Sequence, residues 1–220
     1  MDTGLDLLNW AQGPALQIAT AIFVAGVLIR LLEILLLGRK ANLAPAKGNA
    51  TVQGLKTILT RSIPTAEELR EAPIVHLGGW VFHVGFLISL LFFAPHIVLF
   101  NDAFSISWPA LSTNAVEIAA GLAVVALIAL LISRLLDPVR RMLGNFSDYL
   151  IYALSALPLI TGLMATYKIG GDYNTLLALH ILSVEALMIA FPFTKLMHAF
   201  TIAISRYYNG ALQGYKGAQS

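Results

Sequence analysis

Long apolar segments alternate with short polar ones along the whole chain. About 20 consecutive apolar residues allow an α-helix to cross the hydrocarbon core of a bilayer. Five segments reach that length, at about 15–37, 74–100, 114–136, 147–167 and 175–205. The connections carry polar and turn-forming residues, among them Pro109, Pro138 and Gly170. The pattern predicts an all-α bundle of five transmembrane helices, a single domain over residues 1–220 with a polar loop at 38–73.

Composition agrees with a multi-pass protein of the cell inner membrane. Hydrophobic residues make up 58% of the chain and charged residues 12%, whereas soluble domains carry about 25% charged residues. The first apolar segment lacks a small-residue cleavage site, so we expect it to be a retained span. The chain has no cysteine, which excludes disulfides, thiolate metal sites, protein-held iron–sulfur clusters and c-type haem attachment. A net charge of +2 gives no indication of nucleic-acid binding.

Basic residues are concentrated in three segments that alternate with the spans. They are Arg39, Lys40, Lys47, Lys56, Arg61, Arg70, Arg140, Arg141, Arg206 and Lys216. The other two loops contribute only Lys168. The positive-inside rule therefore predicts an N-terminus outside the cell and a cytoplasmic C-terminus. In the first loop, Thr65 is placed to cap a short amphipathic helix at the membrane surface, the alternative being an ordinary solvated loop.

Four histidines fall inside two of the predicted spans. His180 and His198 are eighteen residues apart, which is five helical turns, so a continuous helix would place both on one face about 27 Å apart. His83 and His96 lie in the second span. Because the two spans run in opposite directions, His83 is predicted to be level with His198 and His96 with His180.

Paired imidazoles at matching depth are the axial ligands that a bis-histidine haem needs. The spacing is unequal, because thirteen residues from His83 to His96 give about 20 Å of helix against about 27 Å on the partner span. Helix tilt and a kink at Pro95 are expected to absorb the difference. For any one of these histidines the alternative is a hydrogen-bonded packing residue without a ligand.

Two motifs carry a resemblance to a known family. The stretch Ala190-Phe-Pro-Phe-Thr-Lys-Leu-Met-His198, with Leu179-His180 upstream, resembles the last helix of the cytochrome b (gamma) subunit of respiratory nitrate reductase. Phe82-His-Val-Gly-Phe86 resembles the second-helix motif of that family. The resemblance implies a b-type membrane anchor with two haems that exchanges electrons between the quinone pool and a cytoplasmic iron–sulfur subunit with its catalytic subunit. It implies His83 and His198 as inner-haem ligands, and His180 as an outer-haem ligand.

The chain departs from nitrate reductase at one of these positions. The second histidine of that family's helix falls where Phe93 stands here, so His96 is the candidate for the remaining outer ligand. The segments Leu77-Gly-Gly-Trp80 and Phe92-Phe-Ala-Pro-His96 are more similar to related membrane cytochromes. Those relatives belong to heterodisulfide-reductase-like, sulfite-reductase-associated and hydrogenase-associated complexes.

Four further side chains are candidates for contacts with quinone, protons or haem. His76, at the cytoplasmic edge of the second span, is a quinone contact, a surface histidine or a haem ligand. Glu185 is a proton acceptor for quinol oxidation, or a protonated acid bonded to a helix carbonyl. Lys195 and Arg30 either pair with haem propionates or extend to lipid headgroups.

Three alternatives to a dihaem cytochrome stay open at this level. One is a single-haem version of the same subunit, in which His96 is not a ligand. Another is a proton or ion transporter in which the histidines and Glu185 form a relay. The third is an anchor without redox chemistry, which leaves the paired histidines unexplained. In each case membrane lipid is an expected partner and nucleic acid is not.

Overall fold

The computed structural model describes residues 3–37 and 43–218. Arg39 and Lys40, which contribute to the orientation prediction, lie outside the described residues. The described chain is helical and contains no strand. Its α-helices are α1 Thr3–Trp10, α2 Leu16–Leu36, α3 Ala50–Thr60, α4 Ala66–Glu71, α5 Pro73–Phe92, α6 Ala94–Phe104, α7 Thr113–Leu136, α8 Pro138–Met142, α9 Phe146–Tyr167, α10 Tyr173–Ala190 and α11 His198–Tyr215.

Five helical stretches of the described chain are long and apolar enough to span a membrane. They are Thr3–Leu36, Pro73–Phe92, Thr113–Leu136, Phe146–Tyr167 and Tyr173–Phe193. The all-α, five-span prediction is therefore confirmed, and the third and fourth spans match their predicted ranges within one residue at each end. The other three spans differ from their predictions, each for a local reason.

The first span begins well before the predicted boundary at residue 15. Helix α1 continues through a π-helical turn at Ala11–Ala15 directly into α2. Gly13 leaves the helical region there (φ −103°, ψ −105°), and Pro14 has no N–H to donate, so the span is kinked rather than interrupted. Leu8 and Ala11 are buried against Ala178 of α10, and this packing stabilises the segment as a helix. The prediction missed it because polar residues interrupt its apolar sequence.

The second predicted span, 74–100, is two helices rather than one kinked helix. Helix α5 ends at Phe92, and Phe93 has an extended backbone (φ −80°, ψ 127°). Helix α6 then begins at Ala94, with Pro95 in its first turn, where a missing N–H costs nothing. The predicted kink at Pro95 is therefore wrong, because the proline begins a new helix.

The fifth predicted span, 175–205, is also broken, so His180 and His198 do not share one helix. A short 3₁₀ turn at Phe191–Phe193 follows α10, Thr194 is extended (φ −125°, ψ 178°), and a second 3₁₀ turn at Lys195–Met197 leads into α11. Pro192 has no N–H for the α-helical ladder. Arg30 Nε donates to the Pro192 carbonyl (3.1 Å), which stabilises the broken region from α2.

The first loop contains two helices. Thr65 caps α4 in a capping box, in which the Glu68 carboxylate accepts a hydrogen bond from the Thr65 N–H (2.8 Å) and Thr65 Oγ1 accepts one from the Glu68 N–H (3.2 Å). The Thr65 backbone N–H and hydroxyl both donate to the Glu68 carboxylate and hold its pKa below its ordinary value. The prediction of a short helix capped by Thr65 is confirmed, in place of the loop alternative. Helix α3, capped by Asn49, was not predicted.

Helix packing brings the first loop and the C-terminal helix to the same end of the bundle. Helix α3 packs on α11 at glycines, and a Cβ added at Gly210 would lie 2.2 Å from Thr57 Oγ1. The spans form a series in which α5 packs on α7, α7 on α9, and α9 on α10, which in turn contacts α1 and α2.

Candidate functional site

Four histidines meet in two pairs, although among them only His83 and His180 lie within the helical spans and His96 and His198 lie outside them. The ring centres of His83 in α5 and His198 at the start of α11 are 6.0 Å apart, with their planes at 85°. We call these residues the perpendicular pair. The ring centres of His96 in α6 and His180 in α10 are also 6.0 Å apart, with their planes at 10°. These residues are the parallel pair. The predicted juxtaposition of His83 with His198 and of His96 with His180 is thus present, despite the breaks in both spans.

In the perpendicular pair, backbone carbonyls orient both rings. His83 Nδ1 donates to the Gly79 carbonyl (2.7 Å), and His198 Nδ1 donates to the Lys195 carbonyl (2.8 Å). A carbonyl oxygen only accepts hydrogen bonds, so each neutral ring carries its proton on Nδ1 and its free lone pair on Nε2. Within residues 3–37 and 43–218, neither Nε2 takes part in a hydrogen bond.

The parallel pair has the same arrangement. His96 Nδ1 donates to the Ser89 carbonyl (2.9 Å) across the break at Phe93. His180 Nδ1 lies 3.1 Å from the Pro158 carbonyl of α9. Gly162 makes room for this ring, since a Cβ added there would lie 3.2 Å from His180 Cε1. All four imidazoles therefore have the same tautomer, with Nε2 available as a ligand.

The separation within each pair suits one shared metal ion. Two metal–nitrogen bonds of about 2 Å, with roughly 1 Å from each ring nitrogen to its ring centre, place the centres about 6 Å apart. Each pair supplies only two ligands, and the described residues contain no group of three or more His, Cys, Asp or Glu side chains suited to a metal ion.

Glu185 is buried in α10, five residues after His180. Only 4% of its surface is exposed, and Oε1 has no hydrogen-bond partner among the described residues. The expected alternative, an acid bonded to a helix carbonyl, is not observed at this oxygen. An acidic residue inside a membrane-spanning helix is costly and usually has a functional role, so Glu185 stays a candidate for proton transfer.

His76 borders a cleft at the end of the bundle where α3 and α11 pack together. The cleft has a volume of about 580 Å³. Its lining includes Arg61, Arg206, Glu68 and Trp80. The cleft therefore combines hydrogen-bond donors with an aromatic surface beside the second span, and none of the four paired histidines lines it.

Arg30 and Lys195 have protein partners in this structure. Arg30 Nη1 pairs with Glu33 (2.9 Å), and Arg30 lines a cleft of about 320 Å³ together with Met197, the residue before His198. Lys195 Nζ pairs with the buried carboxylate of Asp148, which also binds Arg134 Nη2 (2.7 Å).

Asp148 was missed by sequence reasoning. It is an acidic residue at the start of the fourth predicted span and is only 6% exposed. The available signal was the pair Asn145 and Asp148, which matches a capping box and places the carboxylate in the first turn of α9. Nothing in the sequence indicates that its partners would be Arg134 and Lys195.

Comparison with known proteins identifies a relative of similar length. No family model matches the chain. A protein of Nitratidesulfovibrio vulgaris (strain Hildenborough), named simply "Protein", is 30% identical over 202 residues, which cover 88% of this chain and 88% of that protein. The match therefore extends through most of the helical bundle. The chain belongs to the same family as this Nitratidesulfovibrio vulgaris protein.

Proposed function

We propose that this chain is a dihaem b-type cytochrome subunit that anchors an oxidoreductase complex in the cell inner membrane. It exchanges electrons between the quinone pool and a cytoplasmic iron–sulfur subunit with its catalytic subunit. The single observation that carries the proposal is the presence of two histidine pairs, each with ring centres 6.0 Å apart. The motif that ends in His198 resembles a haem-ligating helix of respiratory nitrate reductase and gives independent support.

The donor set fits haem b. A porphyrin supplies four equatorial nitrogens and leaves two axial positions, which is the number of ligands that each pair offers. The carbonyls bonded to Nδ1 fix the tautomer and orientation of the rings, as outer-shell partners of ligating histidines do. Helices α5 and α10 lie far apart in the packing series, yet the histidines of α5 and α6 lie beside those of α11 and α10, with ring centres 6.0 Å apart. The porphyrin would lie between these two groups of helices.

In this proposal the two histidine pairs ligate the haems, and other side chains contact the haem propionates. Bound haem b supplies one-electron redox chemistry, and the protein supplies spacing, ligation and electrostatics. The perpendicular pair would hold the haem nearer the cytoplasm, and the parallel pair would hold the outer one. Arg30, in the cleft beside Met197, is the candidate for a propionate contact.

Two residues are assigned to quinone and proton chemistry. His76, with Trp80 and Arg61, borders the cleft that we assign to a quinone headgroup. Glu185 is the candidate acceptor for a proton released by quinol, since it is buried in α10 close in sequence to His180 and Oε1 has no partner. Basic residues of the first loop and of α11 would face the cytoplasm, which puts the N-terminus outside.

The decisive experiment is a pyridine haemochrome assay on purified protein, combined with a dithionite-reduced difference spectrum. Two b haems per chain are expected. One haem per chain would support the single-haem version and remove the role of His96 as a ligand. The absence of haem would overturn the proposal and favour a transporter that uses the histidines and Glu185, or an anchor without redox chemistry.

A further inference from the structure

Asp148 is a buried carboxylate that joins three separate parts of the bundle. Its Oδ2 accepts hydrogen bonds from Arg134 Nη2 of α7 (2.7 Å) and from the backbone N–H of Asn145 (3.2 Å). Its Oδ1 accepts one from Lys195 Nζ. Charge-assisted bonds of this kind are stronger than neutral ones and define a geometry. Asp148 thereby ties α7 and α9 to the short turn that precedes α11.

That turn contains the carbonyl that orients His198. Lys195 begins the 3₁₀ turn Lys195–Met197, and its carbonyl oxygen accepts the hydrogen bond from His198 Nδ1 (2.8 Å). The residue before it, Thr194, is extended, so no continuous helix holds the turn in place. The Lys195 side chain is 63% exposed, and its ion pair with Asp148 fixes it to the bundle.

We propose that Asp148 is a positioning residue for His198. By anchoring Lys195, it sets the position of the carbonyl that fixes the tautomer and direction of the His198 ring. The inference rests on the proposed function, since the ring is oriented toward a metal ion only if His198 is a ligand. This role belongs to a carboxylate that contacts neither ring of the perpendicular pair. It also explains why an acidic residue is almost fully buried in the first turn of an apolar helix.

Three variants separate this role from a general effect on folding. Asp148→Asn keeps the shape of the side chain but removes the charge that holds Lys195. Lys195→Met removes the amine and leaves the bond between Asp148 and Arg134 in place. Asp137→Asn is the matched control, because Asp137 pairs with Arg140 (2.7 Å) and caps α8 without any link to His198.

The measurement is electron paramagnetic resonance of the ferric protein, together with the rate of haem transfer to excess apomyoglobin. Asp148→Asn and Lys195→Met are expected to change the signal of the perpendicular pair alone and to weaken haem binding there by about 10-fold, as removal of an outer-shell partner typically does. Asp137→Asn is expected to match the wild type in both measurements.

The outcomes distinguish the inference from the function on which it rests. Wild-type signals and transfer rates in both variants would overturn the role of Asp148 while leaving the dihaem proposal intact. Equal loss of both haems in both variants would also overturn it, because it would show a general role in folding. A wild-type protein without haem would overturn the dihaem function and this inference together.

Discussion

The rings of His96 and His180 are nearly parallel, with an angle of 10° between their planes and 6.0 Å between their centres. The rings of His83 and His198 have the same separation but stand at 85° to each other. An axial imidazole donates π density to the iron d orbital perpendicular to its plane. Iron has two d orbitals of this π type. Two parallel rings act on the same one and separate the two orbitals strongly in energy, whereas perpendicular rings act on one each and keep the two orbitals close in energy. The two sites should therefore differ spectroscopically.

We predict two distinct low-spin signals in the electron paramagnetic resonance spectrum of the ferric protein. The parallel pair should give a rhombic signal and the perpendicular pair a strongly anisotropic one. In His96→Ala the rhombic signal should disappear and the haem content should fall from two per chain to about one. Loss of the anisotropic signal in this variant, with the rhombic one retained, would mean that the pairs are assigned the wrong way round.

Glu185→Gln tests the proposed proton acceptor. Glutamine keeps the size of the side chain but cannot take up a proton, and the position has almost no solvent access at 4% exposure. Haem content should stay unchanged, while reduction of the haems by a quinol analogue should slow on the order of 100-fold, as expected for loss of a general base. Stopped-flow absorbance measures this rate directly.

A suitable control for this variant is Glu117→Gln. The Glu117 carboxylate accepts a hydrogen bond from the Tyr167 hydroxyl (2.6 Å) and lies on α7 rather than α10. The haems of the Glu117→Gln variant should be reduced by the quinol analogue at the wild-type rate. If the haems of Glu185→Gln are reduced as fast as those of this control, Glu185 is not the proton acceptor.

Gly85→Ala should destabilise the bundle next to His83. A Cβ at Gly85 would lie 2.4 Å from the carbonyl oxygen of Ala119 and 2.9 Å from Ala123 Cβ, so α5 and α7 would have to move apart. Overpacking of this kind costs about 1–3 kcal/mol. Unfolding in mixed detergent micelles, followed by circular dichroism, measures the loss of stability.

Gly79→Ala is the matched control on the same helix. No atom lies within 4 Å of a Cβ added at Gly79, and its carbonyl stays available to His83. Its free energy of unfolding should stay within about 0.5 kcal/mol of the wild type. Equal destabilisation by both substitutions would show that helix flexibility, rather than the contact between α5 and α7, explains the effect.

Sequence reasoning succeeded where a single local signal determines the structure. The third and fourth spans follow from uninterrupted apolar runs between capping residues, and α7 and α9 match them closely. Thr65 and Glu68 are in the right order for a capping box, and they form one. The pairing of His83 with His198 followed from span direction and depth, and the ring separation agrees with it.

The failures lie where tertiary contacts decide the conformation. Pro95 and Pro192 were visible in the sequence, but whether a proline kinks a helix or ends it depends on what satisfies the freed backbone groups. At Pro192 that partner is Arg30, 162 positions away in the chain. Asp148 could not be linked to Lys195 for the same reason, since the contact joins the first turn of α9 to the turn before α11.

The predicted orientation can be tested with single cysteines, because the chain has none of its own. Lys168→Cys lies in the connection between α9 and α10, and Lys216→Cys follows α11; both parent residues are exposed. With the N-terminus outside, a membrane-impermeant maleimide added to intact cells should label Lys168→Cys and leave Lys216→Cys unlabelled. Permeabilised cells serve as the control, in which both variants should react. The reverse pattern in intact cells would place α3, α11 and the His76 cleft outside, and a cytoplasmic redox partner would then have no access to the perpendicular pair.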